Sequence, residues 1–374
     1  MRMKDLLKTL QRDLPKSLQL LESLVNMDSP SVDKALVDRF GRFVGQNFQA
    51  IGGVVEYSPA ERFGDHLIAR FDGTSEERLL LLGHLDTVFA EGETGRRPFR
   101  IESGRAMGPG VFDMKAGIVL IWAALQALGT LSRPVTVLLT SDEEVGSPSS
   151  RELIEKEAMR AKAVLVLEPS LPGGALKTER KGVGRFTIMA SGWAAHAGID
   201  PSRGINAIEE IAHQVLELQR MSDPSRGTSV TVGLIQGGSR VNVVPAEAAV
   251  EIDVRIPNTE EAARVTAAIR ALQPRLPGSV LHIRGGINRP PMQRTGDTAK
   301  LLGLARTIGA ELGIVVDEGS TGGASDGNFT SAMGIPTLDG LGAIGDGAHS
   351  LEEFVEVESL PGRAALIAGL IRKV

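Results

Sequence analysis

The chain has 374 residues, with 42% hydrophobic and 4% aromatic residues and a formal net charge of -5. That length can bury a sizeable core and divides naturally into two domains, while the mild acidity leaves no basic footprint for nucleic acid and argues against a polyanion partner. Cysteine is absent, which rules out disulfides and thiolate ligands, so any metal must be held by imidazole and carboxylate groups.

Residues 1–27 alternate charged residues with leucines at helical spacing (Leu6, Leu7, Leu10, Leu14) and contain no continuous apolar signal core. No other stretch reads as long enough to span a bilayer. The expectation is a soluble, cytoplasmic protein with no membrane partner.

The run Leu79-Leu80-Leu81-Leu82 reads as a strand buried on both faces, with His84 at its exit and Asp86 two residues on. A metal-bound histidine gives its second ring N–H to a carboxylate or carbonyl, and Asp86 suits that role. Taken alone, the segment reads as a strand-end histidine beside a turn aspartate. Further on, Gly108-Pro109-Gly110-Val111-Phe112-Asp113 is a glycine-rich turn ahead of residues 114–128, an apolar stretch long enough for a buried helix. Asp113 fits the N-cap of that helix, and its two oxygens fit a bridge between two cations equally well.

Val135–Thr140 is another buried-strand candidate, followed at once by Ser141-Asp142-Glu143-Glu144-Val145-Gly146. Adjacent acids are costly without a cation. A capping box from Ser141 to Glu144 is one reading, but Gly146, Ser147 and Pro148 interrupt a helix too soon; Ser149 with Glu152 is the better cap, for a helix over 151–159. Neighbouring side chains diverge, so one of Glu143 and Glu144 can ligate metal while the other addresses a water, a division that suits metal-assisted hydrolysis with a carboxylate general base. Ala163-Val164-Leu165-Val166-Leu167-Glu168-Pro169 repeats the pattern of an apolar run ending in a carboxylate, with Pro169 stopping the strand.

From about Lys181 the character shifts. Strands are expected over 184–191, 229–235, 241–256 (with a turn near Pro245) and 280–283. Helices are expected over 206–221, with Ile208, Ile211, Ala212, Val215 and Leu218 on one face, and over 259–272. The order β-α-β-β-α-β describes an inserted ferredoxin-like unit. Gly322 to Asn328 is a glycine-rich loop without a phosphate-binding signature, and no side chain in it is singled out. Residues 334–338 then run into the glycine-rich stretch 339–348 and His349; Ser350 with Glu353 reads as a capping box, which would make His349 the residue before a helix.

Each of these strand exits is weak evidence alone, yet metal-binding or proton-moving side chains at five of them are hard to obtain by chance. The charges also balance. Two divalent cations bring four positive charges; Asp113, Glu144 and Glu168 remove three, neutral His84 and His349 none, and a bridging hydroxide the last. Glu143 is then left over as the proton carrier.

The motifs Gly83-His84-Leu85-Asp86-Thr87, Gly108-Pro109-Gly110 to Asp113-Met114-Lys115, Asp142-Glu143-Glu144-Val145-Gly146-Ser147, Glu168-Pro169, His196-Ala197-Gly198 and Gly347-Ala348-His349-Ser350 occur in this order. Together they resemble the M20 family of metallopeptidases over nearly the whole chain, most closely its glutamate carboxypeptidase branch. The resemblance implies an α/β fold: a zinc-peptidase-like mixed sheet flanked by helices, with an inserted ferredoxin-like α+β dimerisation or lid domain. Residues 1–180 would form the first part of the catalytic metal-binding domain, 181–288 the inserted domain and 289–374 the second catalytic part. It implies two zinc ions per subunit, with Co2+ or Mn2+ as substitutes. His84 and Glu168 would hold one, Glu144 and His349 the other, and Asp113 would bridge them. Glu143 matches the catalytic base and Asp86 the residue that orients the histidine. His196 matches an oxyanion donor reaching a partner subunit's site, Arg255 an anchor for the substrate carboxylate, and Asn242 its helper from the neighbouring subunit, so a homodimer is implied. The peptide bond after Asp113 is expected to be cis.

The expected function is cleavage of an amide bond next to a free carboxylate, releasing a C-terminal amino acid, glutamate favoured, from a small peptide or N-acyl amino acid. Two alternatives stand. Met114, where the carboxypeptidase branch often has a second acid, is shared with deacylases acting on acetylornithine or succinyl-diaminopimelate. A dimeric binding protein that keeps the fold without activity is the other.

Overall fold

In the computed structural model, which describes residues 2–374, the leucine run forms the strand Leu79–His84 inside a six-stranded sheet. Leu79 and Leu81 pack into a large core with Val37, Ile121 and Leu366, while Leu80 and Leu82 pack into a smaller one with Ile154 and Phe329. Both faces are therefore covered, which is why the segment reads as continuously apolar rather than alternating. Each buried leucine contributes roughly 1.5–3 kcal/mol, and this strand fixes the position of His84.

The sheet order is Val54–Ser58, His66–Phe71, Val135–Thr140, Leu79–His84, Ala163–Val166, Thr337–Leu338. The last four are mutually parallel, and His66–Phe71 runs antiparallel to both of its neighbours. Parallel pairing delivers the carboxyl ends of four strands to one edge, and His84 and Thr140 are register partners there. Helices Met3–Arg12, Ala116–Leu128, Gly296–Leu312 and Leu360–Lys373 pack with one another against the large core. Val111–Leu128 is, by length and composition, able to cross a membrane, which corrects the sequence reading; most of it is buried inside the protein, as the core helix expected from residue 114 on would be.

The chain divides into two compact units. The first comprises the residues up to Glu179 with Arg294–Ser320 and Ser325–Val374, and the second comprises Arg180–Gln293 with Thr321–Ala324. The second unit continues past residue 288 because the strand Val280–Arg289 runs through that position, and the 321–324 loop also belongs to it. Its antiparallel sheet has the order Ser229–Gly237, Glu247–Ile256, Gly182–Ser191, Val280–Arg289, and with helices Ala207–Gln219 and Thr259–Arg270 it has the ferredoxin-like arrangement. Residues 241–246 lie outside the strand expected there, which begins at Glu247. The helix Ala207–Gln219 is also rotated from expectation: it buries Ala207, Glu210, Ile211, Gln214 and Leu218 and exposes Ile208.

Candidate metal centre

His84 ends its strand with Nδ1 2.9 Å from the carbonyl oxygen of Asp86. Its Nε2 stands 3.1 Å from Asp113 Oδ1 and 3.4 Å from Glu168 Oε1. The contact with Asp86 is made chiefly by the backbone, since the nearest carboxylate oxygen is 3.5 Å away. That carboxylate serves the next turn instead. Its Oδ1 accepts the Glu143 N–H and its Oδ2 the Glu144 N–H, each at 3.2 Å, and Oδ2 also accepts the Ser31 hydroxyl at 2.6 Å.

Asp113 presents its second oxygen to the other imidazole. Oδ2 is 3.3 Å from His349 Nε2, which in turn is 3.1 Å from Glu144 Oε2. The order Glu168, His84, Asp113, His349, Glu144 is thus a continuous row of donors, with Glu143, His84 and Glu168 converging within 4.8 Å. The Asp113–Met114 peptide bond is cis. Asp113 is not a helix cap, because the regular helix begins at Ala116 with Lys115 in the N-cap position and no side chain capping it. Gly110 turns the chain at φ 71°, where a Cβ would strike Thr87.

Two expected capping boxes are absent. Ser149 and Ser150 give their hydroxyls to Asp142, at 2.7 and 2.5 Å, rather than capping the helix Arg151–Ala158. Glu353 is buried ahead of the strand Phe354–Glu356, no helix follows His349 directly, and its carboxylate accepts backbone N–H groups from the Asp113 turn. His349 itself adopts φ 64°.

Residues given no role by sequence lie behind the site. Buried His66 accepts from the backbone N–H of Ser141 at 3.2 Å and contacts the Ser149 hydroxyl at 3.2 Å. Asp326, from the loop in which no side chain is singled out by sequence, accepts the Thr140 hydroxyl at 2.9 Å and that of Ser147.

The electrostatics of the row demand positive charge. Hydrogen bonds to Asp113 and Glu144 push the His349 imidazole up to about 11. His84 is raised well above the usual histidine range: burial opposes its charge, but Asp113, Asp86 and Glu168 outweigh it. Asp113 is also buried against charging, yet His349 and His84 hold its carboxyl far below the carboxylate range, while burial pushes Glu144 up. Cations between these groups would meet the same demand with both imidazoles neutral. The spacing fits as well: ligands about 2.0–2.2 Å from a tetrahedral ion stand about 3.3–3.6 Å apart, close to the 3.1–3.4 Å separations along the row. Glu144 Oε1 is buried with no hydrogen-bond partner, as a ligand atom would be.

His196, Asn242 and Arg255 all lie in the second unit. His196 is exposed, with Nδ1 accepting from Gly198 N at 3.1 Å, and the Asn242 carbonyl accepts from Ala197 N at 3.0 Å. Arg255 pairs with Asp253 at 2.8 and 3.0 Å.

A mixed α/β sheet whose strand ends gather imidazoles and carboxylates around a bridging aspartate defines a metal-binding hydrolase. The family model described as peptidase family M20/M25/M40 matches residues 80–373, and the chain belongs to that metal-dependent family. Carboxypeptidase G2 of Pseudomonas sp. (strain RS-16) is 32% identical over 371 residues, covering 96% of this chain and 89% of that protein. Succinyl-diaminopimelate desuccinylase of Wolinella succinogenes is 24% identical over 367 residues, covering 92% and 97%. Among solved structures, a dinuclear metal-binding peptidase of the M20 family from Bacillus subtilis superposes with a TM-score of 0.69 at 16% identity, covering 96% of this chain and 98% of that one.

Proposed function

We propose that the protein is a two-zinc carboxypeptidase that cleaves an amide bond adjacent to a free carboxylate and releases a C-terminal amino acid, glutamate by preference. The observation that carries this reading is the division of Asp113, one oxygen toward His84 and the other toward His349. In it, His84 and Glu168 hold one ion, Glu144 and His349 the other, and Asp113 both. When bound, the ions supply Lewis acidity and make a water nucleophilic near neutral pH.

Glu143 is the general base. It sits beside His84 and Glu168, takes the proton of the attacking water and returns it to the leaving amine. Asp86 fixes the backbone of the short helical turn Glu143–Val145 that carries this base. By the family motif, His196 donates to the oxyanion, Arg255 binds the substrate carboxylate through its planar fork, and Asn242 assists it. A homodimer through the second unit is supported by its edge strand Ser229–Gly237, where Leu234 and Ile235 are exposed. The similarity to carboxypeptidase G2 over almost the whole chain supports glutamate release.

A deacylase reading is favoured by one observation, the Asp113-Met114 pair, together with the desuccinylase similarity. Metal analysis coupled to parallel assays on acyl glutamates, acetylated amino acids and dipeptides tests both. Bound zinc with no turnover on any of them would overturn the enzymatic reading in favour of a binding protein.

A further inference from the structure

Glu353 follows His349 by four residues and is 1% exposed. Its Oε1 accepts the backbone N–H groups of Phe112 and Asp113, each at 2.8 Å, and its Oε2 accepts that of Gly110 at 3.0 Å. Chain pairing explains how a residue 240 positions away from Asp113 reaches this turn. The strand Phe354–Glu356 runs antiparallel to Arg105–Met107, with Phe354 opposite Met107, so Glu353 is held at the mouth of the turn that Met107 enters. The turn needs such an acceptor. Gly110 has positive φ and Asp113 is non-helical, so these N–H groups leave the helical hydrogen-bond pattern, and a buried N–H without a partner costs about 1–3 kcal/mol.

We propose that Glu353 is a positioning residue for the metal centre. It clamps the Asp113 turn to the segment carrying His349, so that the two oxygens of Asp113 face His84 and His349 at the same time. The inference rests on the reading of Asp113 as the bridging ligand. A carboxylate suits this role because two oxygens serve three converging donors; an amide would turn one NH2 group toward N–H groups that need an acceptor.

The test compares wild type with E353Q, E353A, D113A and V355A. Val355 is fully buried on the strand that follows Glu353, and its apolar side chain accepts none of the turn's N–H groups, so V355A controls for general loss of stability. Zinc affinity is measured by competition with a chelator, and thermal unfolding is followed on the metal-free proteins. The expected result is a loss of roughly 10–100-fold in affinity for at least one of the two ions in E353A and E353Q, with V355A melting lower yet binding zinc as wild type does. E353Q is nearly isosteric and keeps the test usable if E353A does not fold. Affinity weakened in D113A but unchanged in E353Q overturns the inference and leaves the bridging role of Asp113 standing. Unchanged affinity in both variants overturns that role and the inference with it.

Discussion

Asp86 holds His84 through its backbone carbonyl, 2.9 Å from Nδ1, while its carboxylate spans the N–H groups of Glu143 and Glu144. The side chain is therefore committed chiefly to the turn that carries Glu143, with its nearest oxygen 3.5 Å from the imidazole. Asp86→Asn keeps the carbonyl contact but offers only one acceptor oxygen where two N–H groups converge. The variant should bind its metals in full and lose roughly 10–100-fold in kcat. Metal content with steady-state kinetics checks this, and parallel loss of metal and activity would contradict it.

Asp142 closes the far side of the same turn. It accepts from the backbone and hydroxyl of Ser149 at 2.6 and 2.7 Å and from those of Ser150 at 3.3 and 2.5 Å. Asp142 is fully buried, so Asp142→Ala strands several donors at once and should cost about 3 kcal/mol or more. Urea unfolding of the variant should show a lowered midpoint with an unchanged slope; a midpoint equal to wild type would show that the donors find other acceptors.

Part of the candidate ligand row is legible in the sequence because His84, Glu144 and Glu168 come just after apolar runs, a signal written within a few residues, whereas Asp113 and His349 end glycine-rich stretches. His84 after its leucines and Glu168 before Pro169 need no distant information. Glu353 misleads for the opposite reason: Ser350-x-x-Glu353 is a local capping pattern, whereas its actual partners are 240 residues away in the Asp113 turn. Asp326 escapes notice likewise, since its partners Thr140 and Ser147 come from another strand end. Ile208 differs again. Periodicity assumes that the buried face is apolar, but here Glu210 and Gln214 occupy it, which turns Ile208 outward.

Buried Glu210 is the polar hub of the second unit, accepting Arg275 N at 2.9 Å, Leu276 N at 2.8 Å, the Ser279 hydroxyl at 2.7 Å and Gln214 Nε2 at 2.7 Å. Burial alone would raise its carboxyl, yet these hydrogen bonds hold it below the usual range. A group depressed on folding stabilises the protein above its unfolded value, about 4.3 for glutamate. That contribution disappears as pH falls through the lower folded value. Glu210→Ala should cost about 2–4 kcal/mol at neutral pH, and the gap from wild type should narrow on acidification below about pH 4. Thermal melts across that range test it; a gap that widens toward acid would reverse the sign.

Metal uptake should release protons. Without ions, His349 is pushed up to about 11 and His84 is raised well above the histidine range, so both imidazoles carry protons at pH 7. A ligand imidazole must be neutral, and each ion therefore displaces one proton from its histidine. Adding zinc to chelator-stripped protein in weak buffer with an indicator dye should release at least two protons per chain, one from each imidazole, as hydrolysis returns. Affinity should accordingly rise with pH through the neutral range, because hydroxide removes the competing protons. Uptake of two ions without proton release would show that the imidazoles are already neutral in the metal-free protein, and that the carboxylates around them are balanced in another way.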